Sequence, residues 1–251
     1  MALLEVTGLV RRFGALRAVD GLALSVDAGQ IHALIGPNGA GKTTAFNCIS
    51  GFLAPSAGRI ALDGNDVTGW PAHRLVAAGL ARTFQVTKVF DEMSVRENVA
   101  LGVRSRLRLN RRVWPGGAAA SIVARSCDEI LDTVGLGARA DSAASALSHG
   151  ERRVLEIAIS LAVAPKLLML DEPTAGMSAG DSGLIGRLVR RLARTTAVLL
   201  VEHDIDLVLG LSDRITVMAQ GRAIATGTPE VVSRDAAVQE AYLGRSGGHA
   251  C

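Results

Sequence analysis

Apolar positions along this chain fall into a few short unbroken runs and several longer periodic ones. Gln30-Ile31-His32-Ala33-Leu34-Ile35, Leu167-Leu168-Met169-Leu170 and Ala197-Val198-Leu199-Leu200-Val201 are the densest runs. Strands apolar on both faces belong in the middle of a parallel sheet covered on both sides. Residues 3–9 and 18–26 read as two further strands flanking a turn-rich Arg11-Arg12-Phe13-Gly14-Ala15, and Asp27-Ala28-Gly29 as a turn. Arg59 to Gly64 reads as another short strand and turn, and Arg214–Met218 and Ala223–Ala225 as strands around Gln220-Gly221. This strand content near the N-terminus predicts a small antiparallel sheet beside the main one.

The longer patterns have a helical period. Thr43 to Ile49 reads as a helix. Ser121 to Val134 carries Val123, Cys127, Ile130, Leu131 and Val134 on one face and stops at Gly135. Ser148-His149-Gly150-Glu151 matches the S-x-x-E capping box, and the helix it opens runs to Pro165. Ser182 to Ala193 is a third such segment, and Thr228-Pro229-Glu230 opens a last helix with proline at its first position. Helices without strands between 121 and 164 predict a helical insertion in an α/β core. The division expected is one domain over 1–251, with 1–85 and 165–251 forming the core and β subdomain and 86–164 the helical subdomain.

At 251 residues the chain is long enough for a sizeable core, and its 49% hydrophobic but 3% aromatic residues build that core from Val, Leu, Ile and Ala. A net charge of +3 is too weak to indicate a nucleic-acid partner. Cys48, Cys127 and Cys251 lie far apart with no metal-ligand spacing; the first two read as buried thiols in a reducing compartment. No apolar run approaches the roughly 18 residues of a spanning helix. The start lacks a basic segment before an apolar core, so the protein reads as cytoplasmic and free to dock on a membrane protein. The cluster Arg104, Arg106, Arg108, Arg111 and Arg112 reads as a solvated helix face or a contact for lipid head groups or a membrane partner. With Trp114 the sole aromatic nearby, nucleic acid is the weakest reading.

The chemistry starts at Gly36-Pro37-Asn38-Gly39-Ala40-Gly41-Lys42-Thr43-Thr44, which fits G-x-x-x-x-G-K-[ST] between a strand and a helix. Glycines at 36, 39 and 41 let successive N–H groups point at one anion, and the following helix adds the positive end of its dipole. Lys42 supplies a charge for the β- and γ-phosphates, and the Thr43 hydroxyl is placed to ligate Mg²⁺. This is a nucleoside triphosphate site. Such a site needs a metal, a base and a charge sensor. Asp171, ending an apolar strand, reads as the Walker-B carboxylate for Mg²⁺, and Glu172 as the group that polarises the attacking water. His203 can hydrogen-bond the γ-phosphate, and Gln85 can bridge metal and water. Phe13 reads equally as a base-stacking aromatic or as an ordinary core or surface phenylalanine.

In order, Gly36–Thr44, Gln85, Leu147-Ser148-His149-Gly150-Glu151, Leu170-Asp171-Glu172-Pro173-Thr174 and His203 resemble the motifs of an ABC transporter ATPase over nearly the whole chain. Ala81-Arg82-Thr83-Phe84-Gln85, the arginine-rich insertion and Glu240-Ala241-Tyr242-Leu243-Gly244 look like the branched-chain amino-acid uptake subfamily and its urea and amide relatives. The resemblance implies the P-loop NTPase fold and an ATP-hydrolysing importer subunit. Phe13 falls where that family stacks the base. Ser148, His149, Gly150 and Glu151 would face ATP on a second ATPase subunit, so that two ATP are closed in a dimer interface. Integral permease subunits would be its partners, with a periplasmic solute-binding protein indirectly and no nucleic acid. It would lie peripherally on the inner face of the membrane. Two features depart from the family pattern: His149 replaces the commonest glycine, and Ala179 stands about where the D-loop aspartate is usual. A soluble ABC-type ATPase acting on nucleic acid or ribosomes, or a lipopolysaccharide-export ATPase, are the alternative expectations.

Overall fold

The computed structural model describes residues 2–83, 89–109 and 117–243, with the side chains of Ala179 and Leu243 outside that description. Its spine is a sheet of order β10-β9-β3-β8-β7-β6. In it β3 (Ile31–Ile35), β6 (Leu80–Arg82), β7 (Leu167–Asp171), β8 (Ala197–Val201) and β9 (Arg214–Ala219) run parallel, and β10 (Arg222–Gly227) closes the edge antiparallel. Every residue of β3, β7 and β8 is buried, as their unbroken apolar runs require. The two-residue period divides them between faces. Leu168, Leu170, Val198 and Leu200 enter one core cluster, whereas Leu167, Met169, Ala197, Leu199 and Val201 enter the other.

The second cluster is roofed by an antiparallel sheet of order β2-β1-β4-β5, built from β1 (Ala2–Phe13), β2 (Leu16–Asp27), β4 (Ala57–Leu62) and β5 (Asn65–Asp66). The segment expected as a turn at Arg11–Ala15 is instead mostly strand. Arg11, Arg12 and Phe13 pair with Val19, Arg17 and Leu16, and Gly14-Ala15 alone make the turn. Helix α1 (Lys42–Ile49) packs into the same cluster through Phe46 and Ile49.

The first cluster is covered by α3 (Val95–Arg106), α4 (Gly117–Val134) and α5 (His149–Leu161), which pack on one another, and by α6 (Ala179–Leu192). Helix α4 begins at Gly117 rather than Ser121 and α6 at Ala179 rather than Ser182, because Ser178 caps the latter by accepting from the Asp181 amide. The structure adds α2 (Ala72–Ala77), α3 and α7 (Ile205–Leu211), which periodicity did not single out. The last helix is two, α8 (Pro229–Ser233) and α9 (Ala236–Leu243). Arg104 and Arg106 sit in the last turn of α3, where cations offset the helix dipole; Arg111, Arg112 and Trp114 lie outside the described residues. Cys48 and Cys127 are buried free thiols. No helix among the described residues is long and apolar enough to cross a membrane.

His32, mid-β3, is wholly buried yet satisfied. Its Nδ1 lies 2.8 Å from the Ser25 carbonyl of the antiparallel sheet and its Nε2 2.8 Å from Thr216 Oγ1 on β9. The two sheets are thereby stitched by a neutral imidazole, whose pKa burial pushes down to about 4.

Candidate nucleotide site

Register sets the site. Leu34 pairs with Val201, and Val201 with Asp171, so β3, β7 and β8 end level on one edge of the sheet. Open α/β sheets bind ligands at this carboxyl edge. The three segments expected to carry chemistry therefore leave the sheet side by side.

After β3 the chain turns through Gly36, Gly39 and Gly41, all at positive φ. Two of them have no room for a side chain: a Cβ on Gly36 would lie 2.1 Å from the Met218 carbonyl oxygen and one on Gly41 2.2 Å from that of Ala18. Gly221, between β9 and β10, donates to the Ala40 carbonyl at 3.0 Å and props the loop from outside. Helix α1 starts at Gly41 with no side chain capping it, so its first amides are offered to a ligand. Lys42 folds back and donates to the Gly36 and Pro37 carbonyls at 2.6 and 3.1 Å. Burial lowers its pKa, with Glu172 and Asp171 opposing.

The loop opens into a cavity of about 480 Å³ that Asn38 through Thr44 share with Glu172, His203 and the Leu16–Ala18 strand. Phe13 does not line it; its hairpin partner Leu16 does. The Phe13 ring is instead half exposed, with the Arg11 guanidinium 4.7 Å from its centroid.

Asp171 is almost fully buried at the end of β7, and its Oδ2 accepts from Arg82 Nη2 at 2.9 Å. Burial raises its pKa against the pull of that guanidinium. Arg82 in turn donates to Asn47 Oδ1 at 2.5 Å and Ser50 Oγ at 2.8 Å, and lies over the Phe46 ring. The carboxylate is thus tied to the helix that starts at the phosphate loop. Its neighbour Glu172 has φ 47°, unusual for a residue with a side chain. Its amide donates to the Val201 carbonyl at 2.8 Å, and its Oε1 meets His203 Nε2 at 2.5 Å. His203, expected on a γ-phosphate, holds the carboxylate in this structure. Glu202 orders both turns: one oxygen accepts from the Thr174 amide and hydroxyl, the other from the His203 amide.

The donor set suits a hard, small cation. An exposed threonine hydroxyl at Thr43 and one buried carboxylate at Asp171 leave the remaining positions to phosphate oxygens and water, as Mg²⁺ prefers. Such a site needs no cluster of three His, Cys, Asp or Glu, and none occurs among the described residues. Gln85 lies outside the described residues.

Ser148 caps α5 by accepting from the Glu151 amide at 3.2 Å, while Glu151 Oε2 accepts from the Ser148 amide at 2.8 Å. Exposed His149 and half-buried Gly150 follow in the first turn. Ser148, Gly150 and Glu151 line a separate groove with Met177 and Asp181, not the phosphate-loop cavity. The structure therefore brings Gly36–Thr44, Glu172 and His203 together and leaves the 148–151 motif apart. Sequence reasoning gave no role to Arg82, Glu202 or Arg153. Arg153 grips the backbone behind Glu172 through contacts between residues up to 20 positions apart, which no local pattern signals.

A family model described as "ABC transporter" matches residues 19–175, and one described as "Branched-chain amino acid ATP-binding cassette transporter" matches residues 224–247. The high-affinity branched-chain amino acid transport ATP-binding protein BraF of Pseudomonas aeruginosa is 41% identical, covering 97% of this chain and 98% of that protein. The corresponding Escherichia coli protein LivG is 40% identical over the same shares. The ADP conformation of MJ1267, an ATP-binding cassette of an ABC transporter, superposes with a TM-score of 0.87 at 32% identity, covering 97% of this chain and 99% of that one.

Proposed function

The chain belongs to the family of ABC transporter ATP-binding cassettes, and from that premise we propose that it is the ATP-hydrolysing motor of an importer for branched-chain amino acids or a related small polar solute. The observation that carries hydrolysis is the level edge at which the phosphate loop, Asp171-Glu172 and His203 meet. The solute class rests on the relatives and on the C-terminal match. They do not favour a nucleic-acid or ribosomal ATPase or a lipopolysaccharide exporter.

ATP lays its β- and γ-phosphates on the amides of residues 36–44, and Lys42 exchanges its two loop carbonyls for phosphate oxygens. Thr43 and Asp171 would hold Mg²⁺, with Gln85 completing the set, and the chemistry supplied there would be neutralisation of the charge that develops on the phosphates. Glu172 orients and deprotonates the attacking water, and His203 fixes that carboxylate and reaches the γ-phosphate once it is seated. Phe13, outside the cavity lining but paired with the lining residue Leu16, would turn to stack the base. Ser148, His149, Gly150 and Glu151 meet the ATP of a second ATPase subunit, a reading supported by their separation from this chain's own phosphate loop.

An apolar groove between α2 and α5 beside β6, lined by Phe52, Val76, Arg82, Ile159 and Val163, fits a permease element docked on the inner membrane face. A periplasmic solute-binding protein then acts through the permease. Purifying the tagged chain from native membranes in mild detergent tests this: integral permease subunits should co-purify. Recovery of soluble partners alone would refute the importer.

A further inference from the structure

Behind Glu172 the backbone is held by one side chain. Arg153 Nη2 donates to the Asp171 and Glu172 carbonyls at 3.0 and 2.6 Å, and its Nε to the Pro173 carbonyl at 3.1 Å. Three carbonyls at a strand end need donors, and a planar guanidinium fork can meet several at once where an ammonium cannot. Glu156, one turn along α5, fixes the fork from the other side at 2.6 Å, and both side chains are nearly buried. Glu172 is thus gripped at its amide by Val201 and at its carbonyl by Arg153 and, at 3.1 Å, by the Ala175 amide, in a left-handed conformation that a residue with a Cβ rarely adopts.

Arg153 stands only five residues after Ser148 on the same helix, a rise of about 7.5 Å. Residues 149–153 run as one uninterrupted helix with no proline or bulge among them, so what moves its N-terminus moves Arg153. We propose that Arg153 is a positioning residue through which α5 serves two ATP sites: the partner's nucleotide on its N-terminus and its own Glu172 through the three carbonyls. ATP seated by one protomer then sets the catalytic carboxylate of the other. The inference rests on the two-ATP dimer reading.

The test uses the full chain carrying R153M and E156Q together, with E156Q alone as the reference, so that no buried carboxylate loses its cation. The affinity for a fluorescent ATP analogue should stay within about twofold, since the phosphate loop is untouched. Turnover at saturation should fall at least about tenfold, because the general base is displaced. The Hill coefficient for ATP should drop from near that of two coupled sites to about 1. R153K with E156Q, which restores one donor group, should recover part of the turnover; it carries the comparison if R153M with E156Q does not fold. Light scattering with ATP on an E172Q background separates the two readings. An E172Q protein that stays monomeric overturns the dimer and this coupling with it. If the paired variant dimerises when it also carries E172Q, and with Glu172 intact keeps the turnover and Hill coefficient of the E156Q reference, the role of Arg153 alone is overturned.

Discussion

Helices α1 and α5 both present an N-terminus where a phosphate is expected, yet they are finished in opposite ways. Helix α1 opens on Gly41 in the left-handed region with no side chain capping it and no acidic residue in its first turn. Helix α5 opens on a complete capping box, with Glu151 already on the dipole. An open terminus leaves amides that a ligand must satisfy, whereas a capped one is stable alone. The difference separates two tasks. On the reading proposed above, affinity for nucleotide resides at α1, and α5 is a preformed surface that would meet the phosphates when two chains close.

Lys42→Ala should break the α1 half most strongly. A charge-assisted hydrogen bond contributes about 1.5–3 kcal/mol, so the nucleotide dissociation constant should rise about tenfold to a hundredfold. Fluorescent-nucleotide titration checks this, and unchanged binding would remove Lys42 from the site.

A smaller effect tests the strand that delivers α1. His32 has a folded pKa near 4 against an ordinary 6.5, so the unfolded chain takes up the proton first. Stability should be level above about pH 6.5 and fall below it, by about 2 kcal/mol between pH 7 and 5 from this group. Urea unfolding at the two pH values measures it, and His32→Gln should flatten that part of the slope.

The smallest effect sharpens the α5 half. Ser94 and Glu97 form at the start of α3 the same reciprocal cap as Ser148 and Glu151. Alanine at either serine should cost about 1 kcal/mol of stability. Only Ser148→Ala should also lower ATP turnover; equal turnover in the two variants would make the 148–151 motif a cap and nothing more.

The same pair of caps shows what the sequence could yield. The phosphate loop and β3, β7 and β8 were legible because dense apolar runs and a spaced glycine motif are local signals. Ser94-Val95-Arg96-Glu97 carried the capping signal too, but the apolar residues of its buried face are only Val95, Val99 and Val103, and α3 went unread. Arg11 to Phe13 read as a turn because Gly14 follows, whereas pairing with β2 extends the strand to the last residue before that glycine. Arg82 and Arg153 were beyond reach for another reason. Their roles come from partners far along the chain, Asp171 in one case and the 171–173 carbonyls in the other, and only the packed sheet edge creates them. His203 was found as a residue, but its contact with Glu172 depends on β7 and β8 ending level.

The division of tasks between α1 and α5 is tested most directly by the mass of the Glu172→Gln protein in solution with and without ATP. Replacing a general base lowers turnover about 100- to 10,000-fold and should leave binding intact. The account requires this variant to bind ATP and to run as a dimer when ATP is present and as a monomer without it. A variant that binds ATP and stays monomeric, or that still hydrolyses at the wild-type rate, would contradict it.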